Sequence, residues 1–209
     1  MDKAYKNIWV LFIVILAVIF LGFFKTYFSL FTAVGIIPPA QHFHTLLFLL
    51  WFALLFIQPF LIKTGKIKLH RLLGKSSYVL VPLMVISIFT LAKAQYLREL
   101  ALLPRDQCIA NLIIPLPQMV LFVTLYMLAM LNTKNTGFHM RYIIGTSIVL
   151  IGPGLGRTLI FLMGMTFSNA VQLSFLVTEL VLAGLILFDI KNGNRYKPYA
   201  VLLILFLLS

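Results

Sequence analysis

The sequence predicts an all-α, polytopic transmembrane helix bundle. Of 209 residues, 62% are hydrophobic and only 11% are charged, whereas an ordinary soluble domain is about 25% charged. Apolar runs close to 20 residues recur along the chain, and that is the length at which a helix crosses a bilayer. The basic residues sit in short loops between these runs. Together these observations exclude a soluble domain, a disordered chain, a collagen and a disulfide scaffold. The single Cys108 cannot close an intramolecular disulfide.

In chain order, helices are predicted over 8–24, 40–62, 76–93, 109–131, 142–164 and 170–190, with a short seventh over 199–208, all in one integral membrane domain, 1–209. The run Ile8 to Phe24 follows Lys3 and Lys6, as in a signal peptide. It is longer than a usual signal-peptide core and lacks a small-x-small cleavage site, so it reads as a retained anchor. The seventh run, at about 15 Å of rise, covers half of the roughly 30 Å hydrocarbon core. Residues 26–39 end in Pro38-Pro39, and residues 94–107 carry Leu97, Leu100 and Leu103 among charges. Both read as interfacial segments on one side of the membrane.

The net charge of +12 forms no stripe with aromatic platforms, so nucleic acid is not an expected partner and membrane lipids are. Twelve Lys and Arg residues fall on one side: Lys3, Lys6, Lys63, Lys66, Lys68, Arg71, Lys75, Lys134, Arg141, Lys191, Arg195 and Lys197. Lys25, Lys93, Arg98 and Arg105 fall on the other, and Arg157 lies inside a span. The positive-inside rule places the first set, with the N-terminus, in the cytoplasm.

Two helices open alike, with Ile36-Ile37-Pro38-Pro39-Ala40-Gln41 and Ile113-Ile114-Pro115-Leu116-Pro117-Gln118. Each is followed by a loop with His and Arg, then Gly74 or Gly145. Either helices 2–3 and 4–5 form a four-helix core from two parallel repeats, or proline simply marks two helix starts.

His42, His44, Trp51, Gln58, Gly65 and the run His70-Arg71-Leu72-Leu73-Gly74 make an H-x-H, W, Q, H-R-x-x-G pattern. His139-Met140-Arg141 and Arg157 follow it. Over roughly residues 20–165 the chain resembles an uncharacterised family of small bacterial multi-pass membrane proteins. The resemblance implies a bacterial inner-membrane protein and brings no established activity.

Polar groups inside a span are costly and are functional candidates. Counted from the outer helix ends, His44 lies about 6 Å deep, Arg157 about 10 Å, and Gln118 and Glu179 roughly 13 Å. Arg157 and Glu179 match in depth on consecutive helices and are expected to pair, either as a structural ion pair or in a site. Gly152-Pro153-Gly154-Leu155-Gly156 lacks a preceding strand and is not a phosphate loop. Pro153 should kink its helix, and Gly152 and Gly156 permit close helix approach. Pro115 and Pro117 should disturb the outer half of helix 4. Broken helices near His42, His44, Gln118, Arg157 and Glu179 predict an outward cavity, or else a dry kinked bundle.

Three functional readings follow. The first is histidine-based binding of haem or a transition metal, serving membrane redox chemistry, with His44, His70 and His139 as ligands and His44 as the candidate metal ligand. His42 and His44 point roughly 200° apart on a helix and cannot face one haem together. The second is small-ligand binding or proton-coupled transport through the outward cavity. The third is an accessory subunit working with other membrane subunits. At the inner mouth, His70, Arg71, Lys75, His139 and Arg141 suit an anionic head group or an acidic partner, or are ordinary positive-inside loop residues. No motif places a nucleophile beside a base.

Overall fold

The computed structural model describes residues 5–31, 37–112 and 115–208, and among these the chain is all-helical, without a strand. The helices are α1 (Ile8–Phe24), α2 (Pro39–Lys63), α3 (Ile67–Glu99), α4 (Arg105–Ala110), α5 (Pro115–Leu131), α6 (Thr136–Ile148), α7 (Ile151–Met163), α8 (Phe167–Lys191) and α9 (Lys197–Leu207), with a 3₁₀ turn at Phe28–Leu30. Five stretches are long and apolar enough to cross a membrane: Pro39–Lys63, Ile67–Glu99, Arg105–Leu131, Thr136–Met163 and Phe167–Lys191. The 17 residues of α1 meet the lower limit of about 17 for a span. The 11 of α9 do not. The chain is thus a multi-pass helical membrane protein.

Its surface has the matching polarity. Val14, Val79, Ile86, Met127, Leu180 and Ile204 are exposed, whereas Ser77, Thr146, Ser147, Ser174 and Thr178 are buried. Each of these hydroxyls donates to a carbonyl three or four residues back in its own helix. A buried hydroxyl in a membrane helix is satisfied without a partner helix in this way.

The spans match the expected runs, with one large difference in extent. Helix α3 has 33 residues, about 50 Å at 1.5 Å per residue. It includes Lys68, Arg71 and Lys75 before the apolar run and Lys93 and Arg98 after it. Hydropathy marks the edge of the hydrocarbon, but backbone hydrogen bonding continues into the head-group region, so 94–99 extends the helix. Gln95 and Asn111 both donate to Glu99, at 2.8 and 3.0 Å, tying α4 to the end of α3.

Contacts divide the chain into two units, residues 1–34 with 124–209, and residues 35–123. In the first, α7 packs on both α1 and α8, and α9 lies against α6 and α8. In the second, α2 packs on α3, and Phe122 of α5 meets Trp51 of α2 with ring centroids 5.5 Å apart. The boundary falls within α5, so the units do not follow the proposed two-helix repeats. Ile36, Ile113 and Ile114 of the repeat marks, and Lys3, lie outside the described residues.

Pro153 acts as expected. It has no N–H to give to the Val149 carbonyl four residues back, and the helix breaks there, α6 ending at Ile148 and α7 resuming at Ile151. The close approach falls on Gly154. A methyl on Gly154 would stand 2.9 Å from Ile19 Cα of α1.

Candidate functional site

The strongest polar constellation lies at one end of the 1–34/124–209 unit. The ends of α1, α6, α8 and α9 gather there. Arg141, in the second turn of α6, is 1% exposed, and Asp189, near the end of α8, is 0% exposed. Arg141 grips Asp189 with two bonds, Nε to Oδ2 at 2.6 Å and Nη2 to Oδ1 at 2.7 Å. Its Nη1 donates to the Gly137 carbonyl at 3.0 Å. A bidentate, charge-assisted pair of this kind offsets desolvation where a looser one does not.

Tyr5, just before α1, completes the cluster. Its hydroxyl donates to Asp189 Oδ1 at 2.8 Å, its ring lies 4.9 Å from the Arg141 guanidinium carbon, and its edge meets Phe188 at 5.8 Å. Burial pushes the Tyr5 phenol well above its ordinary range, so at neutral pH it is a hydrogen-bond donor. The buried Tyr199 of α9 stands beside it.

The ion pair staples two loops. Arg141 is one turn beyond Gly137, and Asp189 is one turn before Gly193. Gly193 has φ 64°, a left-handed conformation open to glycine, and it lets the Asn194 N–H return to the Asp189 carbonyl at 2.8 Å. Between the loops is a cleft of about 650 Å³. Lys134, Asn135, Thr136 and Gly137 line one wall, Gly193, Asn194 and Arg195 the other, with Arg141 beneath. No acidic residue lines it among the described residues. Lys134 and Arg195 are exposed, and Arg195 lies 5.9 Å from the Phe138 ring. The first turn of α6 adds its backbone N–H groups, capped by Asn135 accepting from the Phe138 N–H at 3.4 Å. With Arg141 neutralised by Asp189, the cleft retains two positive charges and a helix N-terminus, a field that attracts anions.

The sequence-derived candidates fall elsewhere, with the exception of Arg141. Arg141 was read as facing an anionic head group or an acidic partner, or as an ordinary loop cation; it is buried against Asp189, and Lys134 and Arg195 present the charge. Arg157 makes no ion pair with Glu179 among the described residues. Its Nη1 donates to the Pro153 carbonyl at 3.0 Å and its guanidinium lies 4.4 Å from the Phe23 ring of α1. Arg157 turns toward α1, so equal depth on consecutive helices does not by itself bring two side chains together. Glu179 is half-buried.

His44 Nδ1 lies 3.0 Å from Ser87 Oγ. At the other end of the α2–α3 pair, the amide orientation that satisfies both ends of Gln58 has its nitrogen donating to the His70 Nδ1 and carbonyl and its oxygen accepting from the Gly74 N–H at 3.1 Å. The Q and H-R-x-x-G elements of the sequence pattern therefore meet in one helix–helix clamp. Along α2, His44 and Gln58 are separated by about 21 Å, so His44 and His70 cannot share a centre. His139 Nδ1 donates to the Ala129 carbonyl at 2.8 Å. No group of three His, Cys, Asp or Glu able to hold a metal occurs among the described residues. His42 is half-buried, Arg71 and Lys75 are exposed, and Gln118 is buried.

Sequence reasoning missed Tyr5, Asp189 and the cleft loops. One signal was available: the topology puts Arg141 and Asp189 at the same membrane face, each just inside a span, where a lone charge is costly. Comparison with family models, curated proteins and solved structures finds no match to this chain.

Proposed function

We propose that this membrane protein binds a phosphate-bearing anion, free or as a lipid head group, in the cleft between residues 134–137 and 193–195. The single observation that carries the reading is the buried Arg141–Asp189 pair, which holds the two cationic loops face to face around about 650 Å³. Lys134 and Arg195 would supply charge, and the first N–H groups of α6 would supply directional donors. Arg141 positions the walls and is not itself a ligand. With the cleft on the cytoplasmic side of a bacterial inner membrane, as the positive-inside rule implies, the ligand would come from the cytoplasm or the inner leaflet.

The test uses the full chain in detergent and in nanodiscs. Pyrophosphate binding to the detergent-solubilised protein reads out a free anion, and retention of phosphatidic acid over phosphatidylcholine in nanodiscs reads out a head group. The double variant Lys134→Gln/Arg195→Gln should weaken binding by at least about tenfold, the loss of two charge-assisted contacts, with an unchanged Tm. Glu179→Gln should bind normally. Absence of both activities, or binding indifferent to the double variant, rejects the reading.

One observation favours the histidine-based redox reading: the bond from His139 Nδ1 to Ala129 orients the ring with Nε2 as its metal-binding nitrogen. That reading requires haem or metal in the purified protein, lost in His139→Ala. The visible spectrum and metal content decide it.

A further inference from the structure

Helices α1 and α7 run in the same direction: Gly22 meets Gly154 and, further along both chains, Lys25 meets Phe161. They end together, at the membrane face away from the cleft. Two cations mark this end. The Arg157 guanidinium lies 4.4 Å from the Phe23 ring, and Lys25 Nζ lies 5.6 Å from the Phe161 ring. Arg157 and Phe161 are one turn apart on one face of α7, so both contacts belong to one seam between α1 and α7.

Both cations are exposed. Arg157 donates from Nη1 to the Pro153 carbonyl, which leaves most of its five N–H donors to other acceptors. Neither Arg157 nor Lys25 makes an ion pair among the described residues. Arg157 stands six residues before the end of α7, about 9 Å of helix rise inside it. Phe161, Leu162 and Met163 are exposed beyond it, and Phe20, Leu21 and Phe24 are exposed on α1. The unpaired guanidinium therefore lies within the band that lipid covers, where a lone charge is costly. An anion that neutralises it must cross an apolar rim. A small ion from water has nothing to place against that rim, whereas a phospholipid has its acyl chains. Guanidinium and phosphate also form strong, charge-assisted bonds.

We infer that this seam holds an anionic phospholipid of the leaflet around the ends of α1 and α7. Its phosphate accepts from Arg157, Lys25 adds charge nearer the surface, and its acyl chains cover the apolar rim. The inference is independent of the cleft, which lies at the other membrane face and needs Lys134 and Arg195.

Native mass spectrometry of the full chain tests it, by counting lipid retained from an equimolar mixture of phosphatidylglycerol and phosphatidylcholine. A Lys134→Gln/Arg195→Gln background silences the cleft. In that background phosphatidylglycerol should be preferred by at least about fivefold, the effect of roughly one basic residue near a membrane surface. Arg157→Gln should abolish the preference, and Lys25→Gln should weaken it at least about twofold. Inorganic phosphate at constant ionic strength should not displace the lipid. Equal retention of the two lipids, a preference unchanged by either substitution, or displacement by inorganic phosphate each overturns the inference. Should Arg157→Gln not fold, Lys25→Gln decides alone, since Lys25 is exposed and lies just past α1.

Discussion

Gly22 of α1 and Gly154 of α7 meet backbone to backbone, so that a methyl on Gly22 would overlap the Gly154 carbonyl. Around this contact the two helices exchange cations for aromatic faces. Arg157 of α7 lies 4.4 Å from the Phe23 ring, and Lys25, just past α1, lies 5.6 Å from the Phe161 ring of α7. Gly22→Ala should destabilise the protein by about 1–3 kcal/mol, the usual range for overpacking. Gly184→Ala, where nothing stands within 4 Å, should be neutral or gain up to about 1 kcal/mol from helix propensity. Thermal unfolding in detergent checks the contrast, and equal effects at the two sites would refute it.

Asp189→Asn should be among the most damaging single changes, at about 3–5 kcal/mol, because it leaves the Arg141 charge buried and uncompensated. Tyr5→Phe removes one hydrogen bond to a charged group and should cost about 1.5–3 kcal/mol. Arg141→Met combined with Asp189→Leu should recover much of the loss, since neither charge then remains. Chemical denaturation of the three variants gives the order.

Arg157 and Glu179 should behave independently. In a double-mutant cycle with Arg157→Gln and Glu179→Gln the losses should add to within about 0.5 kcal/mol. Arg157 and Phe23 should instead couple by about 0.5–1 kcal/mol, the range of a cation–π contact. Coupling to Glu179 larger than to Phe23 would contradict the geometry.

Gln58→Leu should loosen the α2–α3 pair. It leaves His70 Nδ1 without the amide donor in a half-buried place, a loss of about 1–3 kcal/mol. Lys75→Gln, on the exposed side of the same segment, should change stability by less than about 0.5 kcal/mol. Proteolytic nicking of the 63–67 turn should rise in the first variant only.

The orientation is tested by single cysteines at Lys66 and Arg98 in a Cys108→Ser background. With the N-terminus inside, an impermeant thiol reagent added to intact cells should label the Arg98 site and spare the Lys66 site. The reverse pattern overturns the orientation, and with it the cytoplasmic source of any cleft ligand.

The sequence by itself determined the class and the spans. Hydropathy summed over some 20 residues is a local quantity, and a helix satisfies its own backbone, so apolar runs in Pro39–Lys63 and Phe167–Lys191 could be read without knowing what they touch. Local chemistry also gave the break at Pro153. It misjudged the extent of α3, because helical hydrogen bonding outlasts the apolar run. Only the tertiary structure decided which polar groups meet. Arg141 and Asp189 are 48 residues apart and Tyr5 and Asp189 are 184 apart, and no local sum contains such a pairing. Depth arithmetic located Arg157 and Glu179 along their helices but not around them. Each turn of a helix offers every direction, and rotation about the axis is set by packing, as where Gly22 seats α1 on Gly154 and carries Arg157 to Phe23.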